Sequence, residues 1–481
     1  MSGYSTSEGP SPVSPGPPER PSWEPASSGS VTASSSGSRP GIDDGPGPVA
    51  YPPAARVASP DLRRFRPMTS PPDDARRPSA RAEGRPAFTP EALHTTPNAL
   101  APFYGHFRVA ERLLLSGHSH QAWPDRGFEG QRQAWLDAAE LVDDKWKRAF
   151  ARADLVRAGY ARLLGDPDGS IALAESTHHL VLPWLSALPL RDRPRVVTTD
   201  GEFHSLRRQL DRLEEEGLQV VRVPSVPAAD VGERVAREVD VRTAAALVSS
   251  VFYGNAHIAG GLPEAARACR REGALLLVDA YHSLNVVPFS MEGIEDAYVT
   301  GGGYKYCQLG EGNAFLRLPA ECTLRPVVTG WFSEFAALTD APRGGVAYGE
   351  AGWRFAGATY DPTAHYRASE VFDFFAEMVL SPAFLREVSQ HQVGLLAQSF
   401  DELDLAPGLV GRDRSVPMEG IGGFLAFRSP RAGELHRGLA ERGVATDFRG
   451  ETLRMGPAPY LSDRQIHDAV DALGEAARDL S

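Results

Sequence analysis

Apolar residues recur at helical spacing between residues 131 and 165. Side chains three or four positions apart lie on one face of a helix, so this spacing predicts one or two helices. The residues that set the pattern are Trp135, Leu136, Ala139, Val142, Trp146 and Phe150.

Short apolar runs alternate with amphipathic stretches between residues 171 and 320. The runs predict buried strands at Arg195–Thr199, Gln219–Val223, Ala244–Val251, Ala274–Val278 and Ala297–Val299. The amphipathic stretches predict helices at Leu206–Glu216, ended by Gly217, and at Leu262–Glu272, ended by Gly273. Strands and helices in alternation indicate an α/β fold with a mostly parallel sheet that helices cover on both faces.

A second α/β block follows. Residues 372–400 are predicted to be mostly helical, and Asp463–Asp479 is predicted to form a closing helix capped by Ser462 or Asp463. Between them the predicted elements are a strand at Gly423–Arg428, a helix at Gly433–Arg442 and a strand at Thr452–Met455.

The first part of the chain, residues 1–95, has a different composition and is rich in proline, serine and glycine. Such a sequence cannot bury enough apolar surface to offset the loss of chain entropy, and we predict a disordered, dispensable extension. An alternative is a protein that starts later, for instance at Met68. The predicted domains are then a large ligand-binding domain at 96–325 and a smaller C-terminal domain at 326–481.

Overall composition excludes several classes of protein. The formal net charge of −12 argues against a nucleic-acid-binding protein. Cys269, Cys307 and Cys322 have neither paired nor metal-ligand spacing, which predicts reduced cysteines, no metal site and a cytoplasmic location. No apolar run approaches the roughly 18–20 residues of a membrane span, and the N-terminus lacks the apolar core of a secretory signal.

An acid ends one of the predicted strands. Asp279 closes the apolar run that begins at Leu275, and parallel sheets bind their ligands at this carboxyl edge. An aspartate there can bind a metal, a ribose hydroxyl or a protonated heterocycle nitrogen, or it can simply cap the next helix. His282 lies three residues further on and can turn toward the same point.

A lysine follows the next strand. Lys305 comes directly after Gly301-Gly302-Gly303-Tyr304, and a glycine run allows the backbone to approach a bulky ligand closely. A lysine that faces a pocket and is partly desolvated has a lowered pKa and can form an imine. The alternative is a solvated loop lysine. A phosphate-binding P-loop is excluded, because the run lacks the Gly-Lys-Ser/Thr ending and the helix that should follow.

The two segments together predict a pyridoxal 5′-phosphate (PLP) site. In PLP enzymes an acid keeps the pyridine nitrogen protonated, so that the ring accepts electrons from the substrate. A lysine binds the cofactor covalently and then transfers protons once the substrate has displaced it. Asp279 and Lys305, at the ends of neighbouring strands, fit these two requirements.

These motifs resemble those of the kynureninases, within the class V aminotransferase superfamily. The resemblance rests on Asp279-Ala280-Tyr281-His282, on Gly303-Tyr304-Lys305-Tyr306 and on Val328-Thr329-Gly330-Trp331-Phe332. It extends through Arg442–Arg449 and Leu453–Tyr460, and it covers most of the chain from about Leu114 onward. The resemblance implies an aminotransferase-like fold, a homodimer with the active site at the subunit boundary and an amino acid as substrate.

The resemblance also implies a role for individual residues. It assigns catalytic roles to Lys305, Asp279 and Tyr304, with Ser176 and Thr177 at the cofactor phosphate, Phe203 stacked on the pyridine ring and Trp331 reaching the cofactor from the partner subunit. The implied cofactor contacts are Ser176, Thr177, Phe203, Ser205, Ser249, Asp279, His282, Tyr304, Lys305, Trp331 and Thr359. For Thr177 a plain helix N-cap remains an alternative, as does a core position for Phe203 and a buried structural role for Trp331.

Two residues are implied to contact the substrate, Arg454 and Ser119. A guanidinium can bind the α-carboxylate through two parallel hydrogen bonds. We expect that carboxylate to be obligatory, because without it a partly buried guanidinium would lack its partner. The alternative is a surface arginine in a salt bridge.

Three departures from the kynureninases predict a changed side-chain pocket. Leu206 stands where that family has an aspartate, Thr359 stands near the position of an asparagine, and the region of Trp146 lacks a histidine that contacts the aromatic ketone. Kynurenine is therefore a doubtful substrate. We predict bond cleavage at Cα or Cβ of an amino acid, with amino-group transfer as the alternative reaction. An inactive PLP-fold binding protein is the alternative from another class, and a Rossmann-type nucleotide binder is disfavoured because no Gly-x-Gly-x-x-Gly follows a first strand.

Overall fold

A computed structural model describes residues 87–340 and 345–480, all within one unit, Pro78–Ser481. Its helices are α1 Pro90–His94, α2 Arg126–Leu141, α3 Lys145–Leu163, α4 His178–Ser186, α5 His204–Glu215, α6 Val231–Glu238, α7 Leu262–Glu272, α8 Thr363–Glu377, α9 Pro382–Glu402, α10 Ala432–Glu441 and α11 Asp463–Arg478. Its strands are β1 Leu113–Leu114, β2 Ser170–Ala174, β3 Arg195–Thr199, β4 Gln219–Val223, β5 Thr243–Ser249, β6 Leu275–Asp279, β7 Tyr298–Gly302, β8 Ala314–Leu318, β9 Gly411–Arg412, β10 Leu425–Arg428, β11 Val444–Ala445, β12 Asp447–Arg449 and β13 Thr452–Met455.

Seven strands form the main sheet in the order β2-β8-β7-β6-β5-β3-β4. The strands from β7 to β4 are parallel, and β8 runs antiparallel to both of its neighbours. This confirms the predicted mostly parallel α/β sheet.

Helices cover both faces of this sheet, because successive side chains of each strand enter different cores. Along β5, Leu247 packs in one apolar cluster and Val248 in the other, and both side chains are fully buried. Leu277 and Val278 of β6 divide in the same way. Successive residues of a strand point to opposite faces, so a continuous apolar run is the pattern that a sheet buried on both sides requires.

The carboxyl ends of β5, β6 and β7 lie side by side. Ser249 is the register partner of Asp279, and Asp279 is the register partner of Thr300. The acid at the end of β6 and the loop that follows β7 are thereby brought to one edge of the sheet, where parallel sheets bind ligands.

The helices α2 and α3 confirm the helical pattern before the sheet, but their packing was not foreseen. On α2 the large apolar residues Trp135 and Leu136 are 78% and 45% exposed. The buried side of α2 carries small residues instead, and a Cβ on Gly130 would lie 2.4 Å from the carbonyl oxygen of Tyr366 in α8. Close approach of two helices thus decides which face is buried.

The C-terminal block contains a four-stranded antiparallel sheet in the order β12-β13-β10-β9. The predicted closing helix is α11, and Ser462 forms a capping box with Gln465 at its start. A short parallel pair, β1 with β11, connects the segment before α2 to this block. The division into domains at 96–325 and 326–481 stays a prediction.

The predicted boundary of the N-terminal extension at residue 95 is wrong. Thr89 caps α1, Leu93 is fully buried, and the backbone N–H of Ala87 donates to the carbonyl oxygen of Met378. The ring of His94 stacks on that of His391 at 3.7 Å. The predicted extension up to residue 86 lies outside the described residues.

None of the helices in the described part of the chain has the length and apolar character that crossing a membrane would require.

Candidate active site

A cavity of about 140 Å³ opens at the carboxyl edge of the main sheet. Its lining includes many of the residues singled out in the sequence, namely Ser176, Thr177, Phe203, Ser205, Ser249, Asp279, His282, Tyr304 and Lys305. The remaining lining residues, which were given no role from the sequence, are His178, Val251, Tyr253 and Tyr281.

Lys305 is buried in the turn that follows β7. Its Nζ lies 2.7 Å from Nε2 of His282 and 4.5 Å from the ring centroid of Tyr281. Burial lowers the pKa of Lys305 to about 7, although the nearby carboxylate of Asp279 opposes this shift. The amine is therefore partly neutral near neutral pH, which a nucleophilic lysine requires. The solvated loop lysine that was the alternative is not what the structure contains.

Asp279 is buried at the end of β6. Its Oδ1 accepts a hydrogen bond of 2.8 Å from the backbone N–H of Tyr281. Burial raises the pKa of the Asp279 carboxyl, whereas this hydrogen bond and the charge of Lys305 lower it. A carboxylate at this position would be stabilised by a positively charged group in the cavity.

The glycine run before Lys305 accommodates protein side chains. A Cβ on Gly302 would lie 2.2 Å from Oη of Tyr281, and one on Gly303 would lie 2.7 Å from Cβ of Leu309. The glycine run therefore meets a packing requirement within the protein, and close approach of its backbone to a ligand stays a prediction. A turn follows Gly303 instead of a helix, which agrees with the exclusion of a P-loop.

Thr177 precedes the first turn of α4 at one end of the cavity. It occupies the N-cap position, but its side chain makes no capping hydrogen bond, so the plain N-cap alternative does not hold. Its buried Oγ1 has no hydrogen-bond partner within residues 87–340 and 345–480. The neighbouring hydroxyl of Ser176 lies 3.2 Å from Nδ1 of His179. A helix N-terminus with an unpaired hydroxyl is suited to bind an anion.

A buried acid supports the cavity beside β5. The hydroxyl of Ser249 donates to Glu202 at 2.6 Å, and the hydroxyl of Thr199 donates to the same carboxyl at 2.7 Å. Burial raises the pKa of Glu202 to about 7. The sequence signal for Glu202 was its place directly before Phe203, whose ring centroid lies 5.2 Å from Nζ of Lys305.

Arg454 lies beside the cavity but not in its wall, and it is buried in an ion pair. Its Nε and Nη2 donate to the two carboxylate oxygens of Asp447 at 2.7 and 2.5 Å. Its Nη1 donates at 2.7 Å to the carbonyl oxygen of Tyr253, a residue of the cavity wall. The expectation that Arg454 would lack a partner without substrate is therefore wrong. Of the alternative, a surface arginine in a salt bridge, the salt bridge is present, but the residue is buried.

Asp447 has a second partner, His118. Nε2 of His118 lies 3.0 Å from Oδ1 of Asp447. Burial lowers the pKa of His118 to about 4 against the opposing effect of Asp447, so the ring is neutral and donates its Nε2 proton. Although burial raises the pKa of Asp447, the hydrogen bonds from His118 and Arg454 outweigh it and hold that pKa well below its usual range.

Three other predicted residues lie outside the cavity wall. The hydroxyl of Ser119 is 3.2 Å from Nδ1 of His120, whose ring stacks on Tyr304. Trp331 and Thr359 are exposed on this chain.

The family departures also have definite positions. Leu206 is buried in the apolar cluster on one face of the main sheet. Trp146 packs against Phe332 and Tyr360 in an aromatic cluster. Neither side chain belongs to the cavity wall.

Several proteins are similar to this chain in sequence. The kynureninase C-terminal domain family matches residues 411–473. A kynureninase of Pseudomonas fluorescens is 27% identical over 407 residues, which cover 79% of this chain and 92% of that protein. An uncharacterized aminotransferase of Bacillus subtilis (strain 168) is 22% identical over 345 residues, which cover 71% of this chain and 88% of that protein.

Solved structures share the fold. A cysteine desulfurase from Thermococcus onnurineus NA1 matches with a TM-score of 0.65 at 15% identity, over 77% of this chain and 95% of that chain. A C-DES mutant with glycine covalently linked to its PLP cofactor matches with a TM-score of 0.67 at 16% identity, over 78% of this chain and 98% of that chain. The matches confirm the class V aminotransferase-like fold and the resemblance to kynureninases, and these relatives are enzymes.

Proposed function

We propose that this kynureninase-like chain is a PLP-dependent enzyme that acts on an α-amino acid. The observation that carries the proposal is the convergence on one cavity of a buried lysine, a buried strand-end carboxyl and an unpaired hydroxyl at a helix N-terminus. These are Lys305, Asp279 and Thr177, and they come from three separate elements of the sheet edge. The C-DES mutant, whose structure contains a PLP cofactor, shares the fold of this chain.

The residues of the cavity fit the cofactor chemically. The unpaired hydroxyl of Thr177 and the start of α4 would receive the phosphate, to which Ser176 is adjacent. The buried carboxylate of Asp279 would be stabilised by a positive charge in the cavity, and a protonated pyridine nitrogen would supply that charge. Phe203 lines the same cavity and offers an aromatic face to the ring.

Bound PLP would supply an electron sink for the bond that breaks in the substrate. Lys305 would hold the cofactor covalently and afterwards carry a proton on Nζ, for which a pKa near 7 is well matched. Asp279 would keep the ring nitrogen protonated. His282, whose pKa burial holds well below its ordinary value, would stay neutral beside Lys305 and accept a hydrogen bond from Nζ. Tyr304 lines the cavity and would contact the phosphate.

Arg454 would bind the substrate α-carboxylate, and Ser119 would assist it from the neighbouring loop. For the reaction we propose hydrolysis of the Cβ–Cγ bond or β-elimination, because the kynureninase resemblance extends through the C-terminal domain. Amino-group transfer is the second candidate, favoured by the similarity to an aminotransferase. A protein that binds PLP without turnover is the third possibility, which the experiment below also tests.

Turnover should require the α-carboxylate, and kynurenine should be a poor substrate. We expect the decarboxylated form of the best amino acid to react about 10- to 100-fold worse than its parent, since a charge-assisted hydrogen bond contributes roughly 1.5–3 kcal/mol. This loss of reactivity is smaller than it would be if the Arg454 guanidinium were left without any acidic partner, because Asp447 still pairs with it. The measurement is kcat/KM for a panel of amino acids that includes kynurenine, with products identified by mass spectrometry.

The matched variant is Arg454→Ala, in which the ratio between the amino acid and its decarboxylated form should fall to about one. This ratio is insensitive to a general loss of activity. If the decarboxylated amine equals its parent in the wild-type protein, Arg454 does not bind substrate. If kynurenine is the best substrate, the enzyme is an ordinary kynureninase, and if no amino acid is converted, the binding-protein alternative holds.

We further propose a homodimer in which Trp331 and Thr359 complete the cavity of the partner subunit. Trp331 is 45% exposed on this chain, and α2 presents Phe128 and Trp135 at 51% and 78% exposure. Trp331 lies against the exposed Phe335, with ring centroids 5.4 Å apart, and contiguous exposed apolar side chains are typical of surfaces that bind another protein. Two-fold symmetric dimers are the commonest oligomers, which favours a second copy of this chain as the partner.

Subunit mixing tests the shared site. A chain with Lys305→Ala and a chain with Trp331→Ala and Thr359→Ala should each be at least tenfold less active than wild type. Refolded together, they should regain about a quarter of wild-type activity, because about half of randomly assembled dimers are hybrids with one complete site. Failure of the mixture to exceed the sum of its components, or an active monomer by light scattering, would contradict the shared site.

A further inference from the structure

The short hairpin of β12 and β13 places an acid directly across from Arg454. Asp447 and Arg454 are register partners on neighbouring antiparallel strands, so their side chains leave the sheet on the same side. Their contact is bidentate, through Nε and Nη2 of the guanidinium. The backbone thus sets the orientation of the pair.

The remaining hydrogen-bond donors of Arg454 suit a second carboxylate. A guanidinium has five N–H donors. Nε and Nη2 donate to Asp447, and Nη1 donates to the carbonyl oxygen of Tyr253. One N–H is left on each terminal nitrogen, so the guanidinium keeps two donors for a second carboxylate.

Because Arg454 is buried, its guanidinium requires a counter-ion, which Asp447 provides. The side chains of Arg454 and Asp447 are 5% and 15% exposed. A buried guanidinium without a counter-ion is costly and would shift toward other acceptors. His118, which is fully buried, contacts Oδ1 of Asp447, the oxygen that also accepts from Nε of Arg454, and restricts the carboxylate further.

We infer that Asp447 is a positioning residue that orients Arg454 for the substrate carboxylate, with His118 restraining Asp447. The inference rests on the proposed role of Arg454 and adds to it the residue that makes that role possible. Asp447 itself contacts neither cofactor nor substrate. Its effect should therefore be largest for ligands that carry a carboxylate.

Two small amines test this selectively. L-Alanine and ethylamine differ by the carboxylate alone, and their binding to the PLP-loaded protein is followed by visible absorbance. We expect Asp447→Asn to raise the apparent Kd of L-alanine at least tenfold and to change that of ethylamine by less than about threefold. With a saturable substrate from the panel, the same variant should raise KM more than it lowers kcat.

Asp401→Asn is the matched control. Asp401 accepts from Nε and Nη2 of Arg412 at 2.9 and 2.5 Å, so this variant removes an ion pair of the same geometry away from the cavity. It should leave both apparent Kd values unchanged. Asp447→Glu retains the charge with a displaced carboxylate, and we expect it to recover part of the L-alanine binding lost in Asp447→Asn.

The possible failures are distinguishable. An L-alanine Kd within threefold of wild type in Asp447→Asn, together with a tenfold rise in Arg454→Ala, overturns the role of Asp447 alone. If Asp447→Asn does not fold, an L-alanine Kd within threefold of wild type in Asp447→Ser, which also lacks the carboxylate, overturns it equally. A wild-type protein that binds L-alanine no better than ethylamine overturns the carboxylate role of Arg454 and this inference with it.

Discussion

Lys305→Ala should abolish covalent attachment of PLP and lower turnover on the order of 10³-fold or more, because the residue is proposed both as the covalent anchor and as the proton carrier. The wild-type protein should be yellow, and borohydride reduction should attach the cofactor permanently to Lys305. Burial of Nζ beside His282 predicts that this attachment depends on pH. Because the pKa of Lys305 is lowered to about 7, attachment to the cofactor-free protein should quicken as pH rises through about 7 and the amine becomes neutral.

The chain provides a clean control for this experiment. It contains three lysines in all, and the other two, Lys145 and Lys147, both lie at the start of α3. The double variant Lys145→Ala and Lys147→Ala should keep full covalent attachment, and peptide mapping after reduction should find the modification at Lys305. Modification of either α3 lysine in the wild-type protein would refute the assignment, and so would a yellow, active Lys305→Ala variant.

The helices and strands whose bounds were predicted most accurately are those in which the sequence changes character at both ends of the element. The bounds of β3, β4, β13 and α7 agree with prediction to the residue. The strand β3 ends in the polar residues Thr198 and Thr199, and β4 is followed by Pro224. The helix α7 is followed by Gly273, whose φ of 66° few other residues adopt. Local sequence determines such features, so a local pattern suffices to find them.

Features that depend on packing between distant segments were not predictable in this way. Trp135 follows the helical pattern yet faces outward, because Gly130 lets α8 approach the other side of α2. The residues of α1 resemble the rest of the proline-rich segment in composition, and their contacts with the body, such as the burial of Leu93 and the stacking of His94 on His391, are not visible in the local pattern.

The residues of the candidate site likewise fall into those that a local pattern predicts and those whose role depends on distant segments. Asp279 and Lys305 were predicted from the order of strands, since the carboxyl ends of neighbouring parallel strands meet. The pairing of Asp447 with Arg454 depends on the register of the β12–β13 hairpin, which the sequence does not display. Glu202 was missed for a similar reason. Its hydrogen-bond partners Ser249 and Thr199 lie at the ends of two different strands, β5 and β3.

Asp279→Asn should remove most activity while leaving covalent attachment of PLP largely intact. Asparagine keeps an oxygen for the backbone N–H of Tyr281, which Asp279 now binds at 2.8 Å, so the local structure should persist. It lacks the charge that would hold a proton on the pyridine nitrogen. The expected loss is about 3 kcal/mol of transition-state stabilisation, or roughly 10²-fold in kcat, as for other electrostatic groups aimed at developing charge.

A PLP analogue in which a C–H group replaces the ring nitrogen isolates this role of Asp279. With that analogue the wild-type protein should already be slow, and Asp279→Asn should cause little further loss, because there is no nitrogen left for the carboxylate to charge. Asp401→Asn, which removes a carboxylate far from the cavity wall, should leave activity with either cofactor unchanged. If Asp279→Asn retains activity within about threefold of wild type with PLP, the residue does not hold the ring nitrogen. If its effect is equally large with the analogue, Asp279 acts on the structure of the site and not on the charge of the cofactor.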